Sequence, residues 1–214
     1  MSRLRILLAD DHPLVLNGIT ALLEPYHDVV GTVPDGRQLV DAAHRLNPDL
    51  VILDISMPVL NGLEAALQIK DALPAVKLVF LSMHANPMYL HRALDAGASG
   101  YVLKSGVMDE LLVALTEISN GGVFVSPGFG NEVVESLWSR SGKPAREGRE
   151  LTVRQREILQ LVAEGRLNKE IAHILGISIK TVDFHRSRIM ARVGAHSAAE
   201  LIRIAIERGW AVTS

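Results

Sequence analysis

Three aspartates, a serine and a lysine are the residues of this chain best placed to do chemistry together. Asp10 and Asp11 follow an apolar run at 4–9, Asp54 follows one at 50–53, Ser82 one at 77–81, and Lys104 one at 100–103. Clustered carboxylates repel one another unless a hard divalent cation sits between them, and Mg²⁺ is commonly held by one or two carboxylates with water and phosphate oxygens completing its shell. A lysine and a hydroxyl opposite such a cluster suit phosphoryl oxygens. A carboxylate left free to attack forms an acyl phosphate, and the surrounding charges supply the stabilisation that phosphoryl transfer needs. An Asp-Asp pair alone is more often a turn or a helix cap, and Ser82 or Lys104 alone says little. Their common place at strand ends carries the signal.

That place follows from the elements around them. Apolar runs at 4–9, 29–33, 50–53, 77–81 and 100–103 are mostly continuous, as in strands buried on both faces of a parallel sheet. Helical patterns at 13–24, 36–46, 63–72, 87–96 and 107–120 separate them. Five βα units predict a doubly wound α/β domain over residues 1–120. In such a sheet the carboxyl ends of the strands form the ligand crevice, so all five residues converge. Gly121-Gly122 ends the last helix, and apolar spacing predicts a short connecting helix at 126–138. Residues 139–150 are polar and contain Gly and Pro, which makes 121–150 a linker.

Charge divides the chain the same way. Residues 1–120 carry 8 Lys+Arg and 14 Asp+Glu, net −6, whereas residues 151–214 carry 10 and 6, net +4. A basic C-terminal end directs attention to nucleic acid. The chain has no cysteine, hence no disulfide framework or thiolate zinc site, which fits a cytoplasmic protein. No apolar stretch approaches the roughly 20 residues of a membrane span, so no membrane partner is expected.

Residues 151–214 read as four short helices. Thr152 with Gln155 and Ser197 with Glu200 form capping boxes, Asn168 and Ser178 are the expected caps of the middle two helices, and Gly176 ends the first of that pair. Two helices joined by a short turn are a helix-turn-helix, whose second helix enters the major groove. Val182, Ile189 and Val193 should face the core, leaving Lys180, Asp183, Phe184, Ser187 and Arg188 on the opposite face and Arg186 at its flank. Thr181 and Lys169 stand at helix starts, where phosphates bind, and Asn168, next to Lys169, and Arg186 complete the set of residues expected at DNA. The last helix is apolar on two sides, Leu201, Ile204 and Ala205 on one and Ile202 and Ile206 on the other, and so small a domain cannot bury both, which leaves one side to pack under the linker or the receiver or to meet a partner.

The segments LLADDHPLV, LVILDISMPVLNGLEA, LVFLSMH and GYVLKS resemble the motifs of CheY-type receiver domains, and residues 151–194 closely resemble the LuxR-type helix-turn-helix. The whole chain is thus similar to two-component response regulators of the NarL/FixJ family. The resemblance implies a flavodoxin-like sheet of order 2-1-3-4-5 followed by a small all-α domain. It implies Asp54 as phosphoacceptor. Mg²⁺ would be held by Asp11, Asp54 and the Ser56 carbonyl, with Asp10 acting through water. Lys104 would be the phosphate partner, Ser82 the switch hydroxyl, and Tyr101 the switch aromatic, although its sequence context also fits a half-buried strand residue. A sensor histidine kinase, double-stranded DNA, a second copy of the chain when active, and RNA polymerase are the implied partners. The chain departs from the pattern at Ser105, where many receivers have proline, at Leu167, where a small polar residue is usual, and at Asp183, an acid on the face turned to DNA.

Two other classes compete. A phosphatase of the haloacid dehalogenase type also uses strand-end carboxylates, but its D-x-D lies on one strand, and this chain lacks the residues for a cap domain. A LuxR-type small-molecule sensor would need a ligand cavity where strand-end acids stand here. A regulator rather than an enzyme is therefore expected.

Overall fold

The computed structural model describes residues 3–83, 85–129 and 151–212. The linker at 139–150 and most of the helix expected at 126–138 lie outside them.

The first half is a parallel sheet between two layers of helix. Its elements run β1 (Arg5–Ala9), α1 (Pro13–Leu23), β2 (Asp28–Val33), α2 (Gly36–Leu46), β3 (Leu50–Asp54), α3 (Gly62–Ala72), β4 (Lys77–Ser82), α4 (Pro87–Asp95), β5 (Gly100–Leu103) and α5 (Val107–Ser119). The strand order is 2-1-3-4-5, as expected, with an added sixth strand, β6 (Phe124–Val125), parallel to β5. Side chains alternate across the sheet as the pleat requires. Leu7, Val51, Leu53, Leu78, Phe80 and Tyr101 meet α2, α3 and α4. Ile6, Leu8, Leu50, Ile52, Val79, Leu81 and Val102 meet α1 and α5. Both faces are therefore buried, which is why the strands read as unbroken apolar runs.

The second half contains α6 (Val153–Ala163), α7 (Asn168–Ile174), α8 (Ile179–Val193) and α9 (Ala198–Glu207) around one core that includes Ile158, Leu161, Ile171, Val182, Ile189 and Leu201. The Thr152–Gln155 capping box is made in both directions, and Ser178 caps α8 by accepting the Thr181 N–H at 3.1 Å. Asn168 is not the cap expected of it. Leu167 holds that position, and its own N–H is taken by the Glu170 carboxylate at 2.8 Å. The exposed Leu167, which offers no capping oxygen, has displaced the cap into the helix side chain three residues on.

Candidate phosphoacceptor site and DNA-reading surface

Strand register brings the acidic residues together. Ala9 pairs with Leu53 and Ser82 with Leu103, so Asp10 lies beside Asp54 and Lys104 lies one residue past the end of β5. Lys104 Nζ sits 2.8 Å from Asp54 Oδ2 and 2.6 Å from Asp10 Oδ2. Asp10 and Asp54 are 1% and 3% exposed, and Asp11 stands nearer the rim. Burial raises the Asp54 carboxyl above the usual carboxylate range despite the adjacent Lys104 charge. Burial also opposes the Lys104 charge, but Asp54 and Asp10 outweigh it and hold the ammonium above its ordinary value. A pair like this is costly to bury and costly to break.

The loop after Asp54 closes over it. The Ser56 backbone hydrogen-bonds the Asp54 carboxylate, and the Gly62 N–H donates to the Ile55 carbonyl at 2.9 Å. Gly62 is required here, because a Cβ would stand 2.0 Å from the Asp54 carbonyl oxygen. Tyr101 is fully buried rather than half-buried. The added β6 and the turn behind it are the cause, since Phe129 meets the Tyr101 ring edge-on at 5.1 Å. Burial, set against the nearby Ser82 hydroxyl, pushes the Tyr101 phenol far up.

One residue of this site was not anticipated. His12 Nδ1 lies 2.9 Å from Asp11 Oδ1 and 3.1 Å from Asp10 Oδ1. It follows the Asp-Asp pair directly, and that adjacency was the available signal. Asp10, Asp11, His12 and Asp54 each offer a donor atom within 4.8 Å of the others. Three carboxylates are hard oxygen donors, the set that Mg²⁺ prefers, so the residues present fit that ion.

On the C-terminal half, Lys169, Lys180, Asp183, Phe184, Ser187 and Arg188 are exposed, with Asn168, Thr181 and Arg186 partly so. The Arg188 guanidinium lies over the Phe184 ring at 4.8 Å. Asn168 ties the two helices together: its amide donates to Asp183 and its carbonyl accepts from Arg186. Val182 and Ile189 are fully buried, as the pattern predicts.

A doubly wound domain with an acidic, lysine-paired crevice, joined to a helix-turn-helix, defines a signalling protein whose output is made on DNA. Residues 6–116 match the family described as "Response regulator receiver domain", and residues 149–205 match "Bacterial regulatory proteins, luxR family". The chain is 37% identical to the transcriptional regulatory protein MctR of Rhizobium johnstonii, over 97% of this chain and 95% of that one. It is similar to RcsB from Salmonella enterica serovar Typhimurium bound to promoter rprA in the presence of phosphomimetic BeF3-, with TM-score 0.56 and 31% identity, covering 94% of this chain and 98% of that one. It also resembles a structure of two RcsB dimers bound to two parallel DNAs, with TM-score 0.57 and 31% identity, covering 97% and 99%. This chain therefore belongs to the response regulators that join a receiver domain to a LuxR-type DNA-binding domain. It is a transcriptional regulator, not an enzyme. Among the described residues no helix is long and apolar enough to cross a membrane.

Proposed function

We propose that Asp54 accepts a phosphoryl group from a sensor histidine kinase in the cytoplasm, and that this controls sequence-specific binding of double-stranded DNA by α8. The observation that carries the reading is the convergence of Asp10, Asp11, Asp54 and Lys104 at the carboxyl ends of the strands. An Asp54 carboxylate oxygen attacks phosphorus as the bond from phosphorus to the donor histidine nitrogen breaks. Asp11, Asp54 and the Ser56 carbonyl would hold Mg²⁺, with Asp10 assisting through water. The ion, when bound, supplies positive charge to the phosphoryl oxygens. Lys104 then turns from the two carboxylates to the phosphoryl group, and Ser82 donates its hydroxyl to it, with Tyr101 packed behind as the switch aromatic.

On the output side, Lys169 and Thr181 contact phosphates, while Lys180, Asp183, Phe184, Ser187 and Arg188 face the bases. Asn168 and Arg186, which also brace the two helices, complete the DNA-binding set. RcsB is recorded as dimers on DNA, and this chain acts on DNA as a homodimer. Ile206 of α9, half-buried, and Ile202 beside it, which also packs on the helical core, form the face for pairing. RNA polymerase is the partner that bound regulator meets at a promoter.

Incubation with phosphoramidate and Mg²⁺ should add one phosphoryl group, and Asp54→Asn should abolish the addition. Intact-mass measurement reads both. Equal labelling of the Asp54→Asn protein would sink the assignment.

A further inference from the structure

His12 sits at the N-cap of α1 and does not cap it. Its backbone is extended, as a cap's is, but its ring makes no bond to the first turn of the helix, where Ser, Thr, Asp or Asn usually stands. The ring turns back to the acidic cluster instead. Nδ1 meets Asp10 Oδ1 at 3.1 Å as a hydrogen bond. It also lies 2.9 Å from Asp11 Oδ1, yet that oxygen is buried and has no hydrogen bond among the described residues. A nitrogen and a carboxylate oxygen therefore stand at close range with no hydrogen bond to account for it.

Lys104 fixes which side of the cluster is open. Its Nζ lies against Oδ2 of both Asp10 and Asp54. Asp10 turns Oδ1 toward His12, whose backbone N–H also donates to it at 2.9 Å. The His12 side chain, 63% exposed, closes this edge from the solvent side. Metal ligands at right angles to one another, with bonds of about 2.1 Å, are separated by about 3 Å. The distances from Nδ1 to the two carboxylates, 2.9 and 3.1 Å, match that separation. Mg²⁺ takes oxygen and has little use for the nitrogen, whereas imidazole suits Zn²⁺ and its borderline neighbours. A neutral ring that gives Nδ1 to a metal carries its proton on Nε2, and an exposed ring can offer that proton to water.

We propose that His12 is a metal ligand that sets the ion preference of the acidic site. With Asp10 and Asp11 it holds a borderline transition dication such as Zn²⁺ more tightly than the site holds Mg²⁺. Both ions need Asp11, so they exclude one another, and the ion drawn to His12 displaces the one that would serve Asp54. This inference rests on the metal-assisted reading of the acidic site proposed above.

Isothermal titration of the full chain with Zn²⁺ and, separately, with Mg²⁺ gives the ratio of the two affinities. His12→Asn should lower that ratio at least about tenfold, the least that loss of a supporting group around a metal commonly costs. Asparagine is a favoured N-cap, so α1 keeps its start and a changed ratio is not loss of folding. The chain has 8 histidines, and the variant also subtracts Zn²⁺ bound at the others. Nitrogen NMR of the histidine rings reads the bond itself. One ring signal, absent from His12→Asn, should move to the position of a metal-bound Nδ1 with Zn²⁺ and stay in place with Mg²⁺. Asp11→Ala should weaken both ions. An equal ratio in His12→Asn and wild type, or a His12 ring signal that Zn²⁺ leaves unmoved, would overturn the role of His12. If Asp11→Ala then still weakens Mg²⁺ binding, the acidic site stands without it. Mg²⁺ binding that Asp11→Ala leaves unchanged would overturn the metal site and this inference together.

Discussion

The receiver and the DNA-binding half use their charged side chains in opposite ways. In the receiver, Asp10, Asp54 and the Lys104 side chain are 1%, 3% and 6% exposed and already paired with one another. On the reading surface, Lys169, Lys180, Asp183 and Arg188 stand in solvent, and Phe184 is 54% exposed. Phosphoryl transfer gains from charges fixed in advance where water is excluded, and the same burial raises the Asp54 carboxyl. DNA reading gains from groups that stay hydrated until they meet the duplex, where phosphate contacts release counterions. Buried charge serves chemistry at a fixed atom, and exposed charge serves recognition of a partner that arrives.

Three substitutions bear on this contrast. The largest effect is expected at Asp11, where Asp11→Ala should weaken Mg²⁺ binding by more than about tenfold, because even groups one layer out from a metal commonly cost that much. Isothermal titration reads it, and an unchanged affinity would remove Asp11 from the ligand set. Lys169→Ala should act more gently and without regard to sequence. Every site should weaken alike, and the slope of log K against log salt should fall by about 0.9 if one phosphate contact is lost. A weakening confined to one sequence would place Lys169 at a base. The smallest change in overall affinity is expected from Asp183→Ala, which should alter which base is preferred, moving discrimination at one position by roughly 1–3 kcal/mol. Selection from random DNA measures it. If both proteins select the same motif, Asp183 serves only to hold Asn168.

Legibility in the sequence followed the same division. Asp10, Asp54, Ser82 and Lys104 could be placed because each ends a run buried on both faces, a pattern that few arrangements besides a covered parallel sheet produce. The reading face of α8 could be placed because Val182 and Ile189 mark its opposite. What escaped was the surface between the halves. Arg156, Glu157 and Gln160 look like the solvent face of an amphipathic helix, and Glu64 and Asn61 look like ordinary surface residues. Each meets a partner more than ninety positions away in the chain that supplies the opposite charge or amide. Local periodicity carries no trace of such pairing. Tyr101 is more buried than its sequence context suggests for a related reason. The turn that buries it follows β6, and a two-residue strand is too short to leave a period.

That short strand also bears on where the receiver is best cut. Without residues 121–129, β5 becomes the rim of the sheet, the Ser126 hydroxyl that accepts the Leu103 N–H at 2.8 Å is gone, and Tyr101 loses the ring packed on its edge. An unpaired rim strand recruits other strands. A receiver ending at residue 120 should therefore self-associate in a way that one ending at 129 does not, and its oligomers would mimic signalling while reporting only a frayed edge.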